Sequence, residues 1–177
     1  MKLVVWLWNP WQKYKETRHN IWANMLERFL DWEKIWELKY DNKWKGELLK
    51  SDQFWEVVFF CAPQTYMNLS WECVWPLAKF YKIKSDNILV LHDEIDFNVW
   101  RIAMKMWWSS AWHNGLKNII LKLWTKEFWR IRIWVGRPVT SDMVADYVLS
   151  KFKPNEKELM NDIENQIFQL IKDFILG

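Results

Sequence analysis

Leu3 to Ile21 reads LVVWLWNPWQKYKETRHNI. Leu3 to Leu7 are apolar on consecutive positions, which describes a short strand covered on both faces at the centre of a sheet. Asn9-Pro10 then turns the chain at the strand end, where side chains point into a cleft. Thr17-Arg18-His19-Asn20 closes the stretch with a polar cluster. It contains one of only three histidines, side chains that titrate near neutral pH. From Asn20 the period changes. Ile21, Met25, Leu26, Phe29 and Leu30 recur at three and four, as on a helix with one buried face.

The alternation of strand and helix continues outward. Ile35 to Tyr40, Lys45 to Lys50 and Glu56 to Cys61 read as strands, the first two as an exposed hairpin around Asp41-Asn42 and Val57 to Phe60 as buried. Ser70 is the expected cap of a helix reaching Tyr81, with Val74, Leu77, Ala78 and Tyr81 inward. Ile88 to Leu91 is a buried strand whose end delivers His92-Asp93-Glu94. Arg101 to Met106 is a strand, and Asn114 to Leu123 a helix with Leu116, Ile119, Ile120 and Leu123 inward. Arg130 to Val135 alternates basic and apolar, as a strand with one polar face. A helix is expected over Asp142 to Phe152. Pro154 then suits the first turn of a C-terminal helix, whose stripe is Leu159, Ile163, Ile167, Leu170, Ile171 and Phe174. No repeat, low-complexity tract or linker divides the chain. The expected fold is α/β, one domain over 1–177, a sandwich with a mixed, mostly parallel twisted sheet flanked by helices.

A chain of 177 residues suits one domain with a sizeable core. Hydrophobic content of 51% and charged content of 27% read as globular and soluble. A net charge of +3 admits a nucleic-acid partner without requiring one. No apolar run approaches the roughly 20 residues of a membrane span, and no signal-like region follows Lys2. A cytoplasmic location is the expectation. Cys61 and Cys73, the only cysteines, form no CxxC pattern and are expected as buried free thiols in a reducing compartment.

Asn9, His19, Asn68, Asp93 and Asn114 fall at strand ends or in the loops after them. That is the edge at which open α/β sheets bind ligands. A His with an Asp partner is the minimum set for activating a water. No Ser or Cys sits in a GxSxG context, so hydrolysis would proceed by water and without a covalent intermediate. Read singly, each residue has a plainer role. His19 beside Arg18 reads as a surface histidine, and His113 as a helix-start residue with Asn114 as N-cap. Asp93-Glu94 with His92 and Asp96 is a cation site short of oxygens. Arg130 and Arg132 read as a solvated strand face.

Taken together the residues resemble a known family. With glycine in place of Trp6, Trp8, Trp11 and Trp22, the opening stretch resembles the signature of the bacterial peptidyl-tRNA hydrolases. PQTYMNLS at 63–70, HDEID at 92–96, HNGLK at 113–117, and RIRI at 130–133 with GRP at 136–138 resemble the family's later blocks, in family order and at family spacing to about Phe152. The resemblance implies an esterase acting on peptidyl-tRNA at the bond joining peptide to terminal ribose. In its terms His19 is the general base, Asp93 orients it, and Asn114 places the water and the developing oxyanion. Asn9 and Asn68, with Met67 and His113, hold the substrate, and Tyr14 lies against its 3′-terminal nucleotide. Lys105 and Arg132 suit tRNA phosphate contacts, with Arg130 the alternative arginine; such contacts give salt-dependent affinity. The resemblance further implies a monomer with no metal, no cofactor and no membrane partner.

One departure from the family pattern is large. The chain has 17 tryptophans and 4 glycines, whereas glycine normally makes up about 7% of residues. Trp6, Trp8, Trp11, Trp22, Trp71, Trp100, Trp107, Trp108, Trp112, Trp124 and Trp134 stand where the family has glycine. An indole at such a place strains a positive-φ backbone or overpacks its surroundings, at about 1–3 kcal/mol per site. Several of the eleven are therefore expected at positive φ or short of room, with Trp107, Trp108 and Trp112 crowding the cleft. A non-catalytic RNA-binding protein of the same fold, or an inactive glycine-to-tryptophan variant, is the alternative reading. Trp32, Trp36, Trp44, Trp55, Trp75 and Trp129 match no family position.

Overall fold

The structure, a computed structural model, describes residues 1–177 apart from 12, 13, 15, 36, 37, 96–100, 108, 109, 111, 112 and 139; for 23, 24, 141, 159, 161 and 162 it describes the backbone alone. Trp36, Asp96, Trp100, Trp108, Trp112 and the inward side chain expected of Leu159 lie outside the described residues.

Seven strands form one sheet among the described residues: β1 (Lys2–Trp6), β2 (Lys39–Asp41), β3 (Gly46–Ser51), β4 (Val58–Pro63), β5 (Ile88–Glu94), β6 (Ile102–Met106) and β7 (Trp129–Trp134). Their order is β2-β3-β4-β1-β5-β7-β6. The centre is parallel, with β1 paired to β4 and to β5, and β5 to β7. Both margins are antiparallel, through β2–β3, β3–β4 and β6–β7. The sheet is thus mixed, as the alternation predicted. The first predicted hairpin strand, Ile35 to Tyr40, contracts to β2, because Ile35 turns into the core instead.

Among the described residues five helices cover the sheet: α1 (Ile21–Trp32), α2 (Trp71–Phe80), α3 (Asn114–Leu123), α4 (Val144–Val148) and α5 (Pro154–Leu176). Successive β1 side chains point to opposite faces. Val4 and Trp6 pack in one core with α1 and α5, while Leu3, Val5 and Leu7 pack in a second core with α2 and α3. Double cover is the reason the Leu3–Leu7 run lacks a polar face. The helix expected over Asp142–Phe152 is shorter: a 3-10 turn at Ser141–Met143 runs into α4, which ends at Val148. Cys61 and Cys73 are buried free thiols between β4 and α2, with Sγ atoms 3.2 Å apart.

Two predicted helix starts differ in chemistry. Ser70 has helical angles and its hydroxyl donates to the Met67 carbonyl at 2.9 Å, so it does not cap α2. His113, not Asn114, is the N-cap of α3: its Nδ1 accepts from the Leu116 N–H at 3.4 Å.

The tryptophans divide by position. Of the eight described ones that replace family glycines, Trp107 and Trp124 have positive φ, 70° and 57°, and both side chains are exposed. Trp6, Trp22 and Trp134 lie in regular strand or helix and are buried. Trp6 packs on Phe60 with ring centroids 5.8 Å apart. The indole N–H groups of Trp6 and Trp22 find no acceptor among the described residues. Trp55, which matches no family position, also has positive φ.

Candidate active site

The parallel centre of the sheet opens at the ends of β1 and β5 onto a cleft of about 820 Å³. Asn9, His19, Tyr66, Met67, Asn68, Asn114 and Lys117 line one part of it. The segment from Arg137 through α4 to Leu149 supplies most of the rest. No described tryptophan is among the lining residues.

Each predicted polar residue arrives by a different route. Asn9 follows β1 and is held by its backbone: its N–H donates to Asn20 Oδ1 at 2.7 Å, and Asn20 Nδ2 donates back to its carbonyl at 2.6 Å. Asn20 thereby leaves the Asn9 side chain for the cleft. The sequence reading missed this role, although Asn20 closes the same polar cluster. His19 sits in the 3-10 turn Arg18–Asn20 that leads into α1. Met67 and Asn68 lie on a 3-10 turn after β4. Asn114 opens α3, which reaches that turn through Gly115. A Cβ on Gly115 would meet Met67 Sδ at 2.8 Å and His113 Cε1 at 3.1 Å, so a larger residue would have to displace these side chains.

Asp93 joins these parts. It is buried at the end of β5, and its Oδ1 lies 2.7 Å from His19 Nδ1 and 3.3 Å from His113 Nε2. His92, on the neighbouring position, donates Nδ1–H to the Asp93 carbonyl at 2.9 Å, and its ring stands T-shaped to that of His113. All three histidines of the chain therefore gather around Asp93, two at its carboxylate and one at its backbone carbonyl. Burial opposes the charge on Asp93, but His19 and His113 outweigh it and hold the carboxyl below its ordinary range. Burial, reinforced by a neighbouring histidine, pushes His92 and His113 below the ordinary imidazole value. Both are neutral rings at pH 7.

Atoms of His19, Asp93 and His113 lie within 4.8 Å of one another, close enough for a cation. The tautomers argue for a hydrogen-bonded cluster instead. His113 Nδ1 accepts from the α3 backbone, so the proton of the neutral ring is on Nε2, facing Asp93. A metal needs a lone pair at that position.

Other predicted residues lie outside the cleft. Tyr14 is half-buried and not among the lining residues, its carbonyl accepting from the Thr17 hydroxyl. Lys105 is exposed on β6, directly across the ladder from Arg130. Arg132 pairs with Glu94 at 3.1 Å and its side chain is only 11% exposed. Arg130 is fully buried against the Phe128 ring. The expectation of a solvated Arg130–Arg132 face therefore fails, and of the predicted phosphate contacts only Lys105 stands in solvent. Burial, with Arg132 adjacent, brings the Arg130 guanidinium down to about 10. Lys117 and Arg137 line the cleft itself. Both fall within the family-like blocks HNGLK and GRP, but nothing in a linear sequence says which lysine or arginine faces a groove.

An open α/β sheet that presents a His–Asp pair at its strand ends, with no serine or cysteine among the described cleft residues, has the architecture of a hydrolase that activates water. A family model described as peptidyl-tRNA hydrolase matches residues 3–177. The peptidyl-tRNA hydrolase of Geobacillus thermodenitrificans is 42% identical over 158 residues, covering 89% of this chain and 83% of that protein. The one from Neisseria meningitidis serogroup A is 37% identical over 177 residues, covering 100% of this chain and 92% of that protein. The crystal structure of peptidyl-tRNA hydrolase from Acinetobacter baumannii superposes with a TM-score of 0.93 at 34% identity, covering 100% of this chain and 89% of that one. The chain belongs to the peptidyl-tRNA hydrolase family.

Proposed function

We propose that this chain hydrolyses the ester between peptide and tRNA in peptidyl-tRNA, with His19 as general base. The observation that carries the reading is the 2.7 Å contact from His19 Nδ1 to Asp93 Oδ1 at the edge of the cleft. Donation from Nδ1 to the carboxylate leaves Nε2 as the lone-pair nitrogen, which takes a proton from water as the water attacks the ester carbonyl. The imidazolium that forms is stabilised by Asp93 and returns its proton to the departing ribose oxygen. Asn114 and Asn68 supply amide donors for the oxyanion and the peptide, and Asn9, fixed by Asn20, holds the peptide backbone. Tyr14 meets the 3′-terminal nucleotide. His113, buried and absent from the cleft lining, serves this site through Asp93.

An alkoxide leaves far more readily than an amine, so the reaction needs no Lewis acid and no cofactor. Lys105, Lys117 and Arg137 give the tRNA phosphates positive charge to approach, and affinity falls with salt. The protein acts as a monomer in the cytoplasm during translation, recycling tRNA; no described helix is long and apolar enough to cross a membrane.

The test is single-turnover hydrolysis of an N-acetylated aminoacyl-tRNA. His19→Ala is expected to slow the chemical step by about 10²–10⁴-fold while tRNA binding persists. Undiminished turnover in that variant would overturn the mechanism.

A further inference from the structure

Arg18, the neighbour of the proposed base, is 3% exposed and engages several distant groups at once. Its Nη1 donates to the Val135 carbonyl at 3.0 Å, and its Nε reaches Ser150 Oγ at 3.3 Å. Its Nη2 meets both carboxylate oxygens of Glu156, at 3.0 and 2.7 Å. The guanidinium lies against the rings of Tyr147 and Phe152, 4.6 and 4.7 Å from their centroids. Its backbone N–H donates to the Ser150 carbonyl at 3.0 Å, and Thr17 bridges Lys151.

Val135 and Ser150 are the two ends of one excursion of the chain. Between them lies the segment that carries Arg137, Val144, Val148 and five more of the cleft-lining residues. One side chain therefore clasps both feet of the arc that builds much of the substrate's groove. We infer that Arg18 is a positioning residue for substrate: it sets the aperture of the 136–149 arc relative to His19, so that groove shape and base are held by adjacent residues. Arginine suits this because its planar fork serves several acceptors in fixed directions, which a lysine ammonium does not. Tyr147 supports the same closure from within the arc, its hydroxyl donating to the Val135 carbonyl at 3.0 Å. His19 has its own anchor in Asp93, so the chemical step should be separable from the clasp.

The inference rests on reading the cleft as the peptidyl-tRNA site, and the experiment separates the two. Arg18→Lys, Glu156→Gln and Tyr147→Phe are compared with His19→Ala, each checked by a thermal melt, in steady-state and single-turnover hydrolysis of N-acetylated aminoacyl-tRNA across pH. A clasp predicts a KM higher by about tenfold in Arg18→Lys and smaller rises in the other two. It also predicts a kcat within about threefold of the parent and an unmoved lower limb of the pH profile. If Arg18→Lys does not fold, the milder Glu156→Gln and Tyr147→Phe decide. Parent-like KM in the folded variants overturns the clasp, as does a fall in kcat at constant KM. Parent-like turnover in His19→Ala overturns the proposed function instead.

Discussion

In the proposed mechanism His19 serves as base only in the tautomer that Asp93 selects. Asp93 accepts at one oxygen from two rings, and His113 is locked by its duty as N-cap of α3. Asp93→Asn keeps size and shape but places an amide against two imidazole N–H groups. Turning the amide to offer its oxygen to both nitrogens is feasible, yet the negative charge that stabilises the imidazolium is gone. The variant is expected to lose about 10²–10⁴-fold in kcat with KM nearly unchanged, measured on the same acylated tRNA. A parent-like kcat would mean that His19 does not act through this carboxylate. The polar residues themselves were readable by type: a histidine, an aspartate and asparagines at strand ends name a chemistry. Asn20 and Arg18 were not, since their roles lie in what they grip across the chain.

Among the elements, the helix ends show where local chemistry and the fold disagree. Trp124 closes α3 in the left-handed region at φ 57°, the conformation that favours glycine, and its side chain is 92% exposed. It gains nothing from packing in return for that strain. Trp124→Gly is therefore expected to stabilise the protein by about 1 kcal/mol, read as a shift of the denaturant midpoint at constant slope. A loss of stability would show that the indole makes contacts that outweigh its backbone. The buried Trp6 and Trp22 belong to a different case, with ordinary strand and helix backbones and rings that fill the α1–α5 core. Glycine there would leave cavities now that the core is built around indoles. The strands and helices were largely legible from period, because β1 and α1 bury by consecutive and three-four spacing respectively. Ser70 and the α4 region were not. Ser70 finds the Met67 carbonyl nearer than an orphan N–H, and the 141–153 run breaks where the chain must return to meet Thr17 and Arg18.

At the scale of the whole molecule, three buried groups link stability to pH. His92 and His113 bind a proton more weakly in the folded state than at their ordinary value of 6.5, because burial disfavours the cation. Below that value the unfolded chain takes up protons that the native one refuses, so stability is full at higher pH and falls as acid is added. Asp93, held below its ordinary 3.8, acts in the same sense further down. The melting temperature is thus expected to drop between about pH 7 and about pH 5 and to keep dropping below about pH 4, with His92→Gln flattening the upper part. A melting temperature constant across the upper range would contradict the buried neutral rings. By itself the sequence determined the α/β class, the order of most strands and helices, and the set of residue types a water-activating site requires, because period and side-chain chemistry are local properties. Only the tertiary structure decided that His19 and Asp93, 74 positions apart, share a hydrogen bond, that Arg132 faces Glu94 rather than solvent, and that Arg18 joins Val135 to Ser150. Those are contacts between distant segments, fixed by how the two cores pack the helices onto the sheet, and no spacing along the chain encodes them.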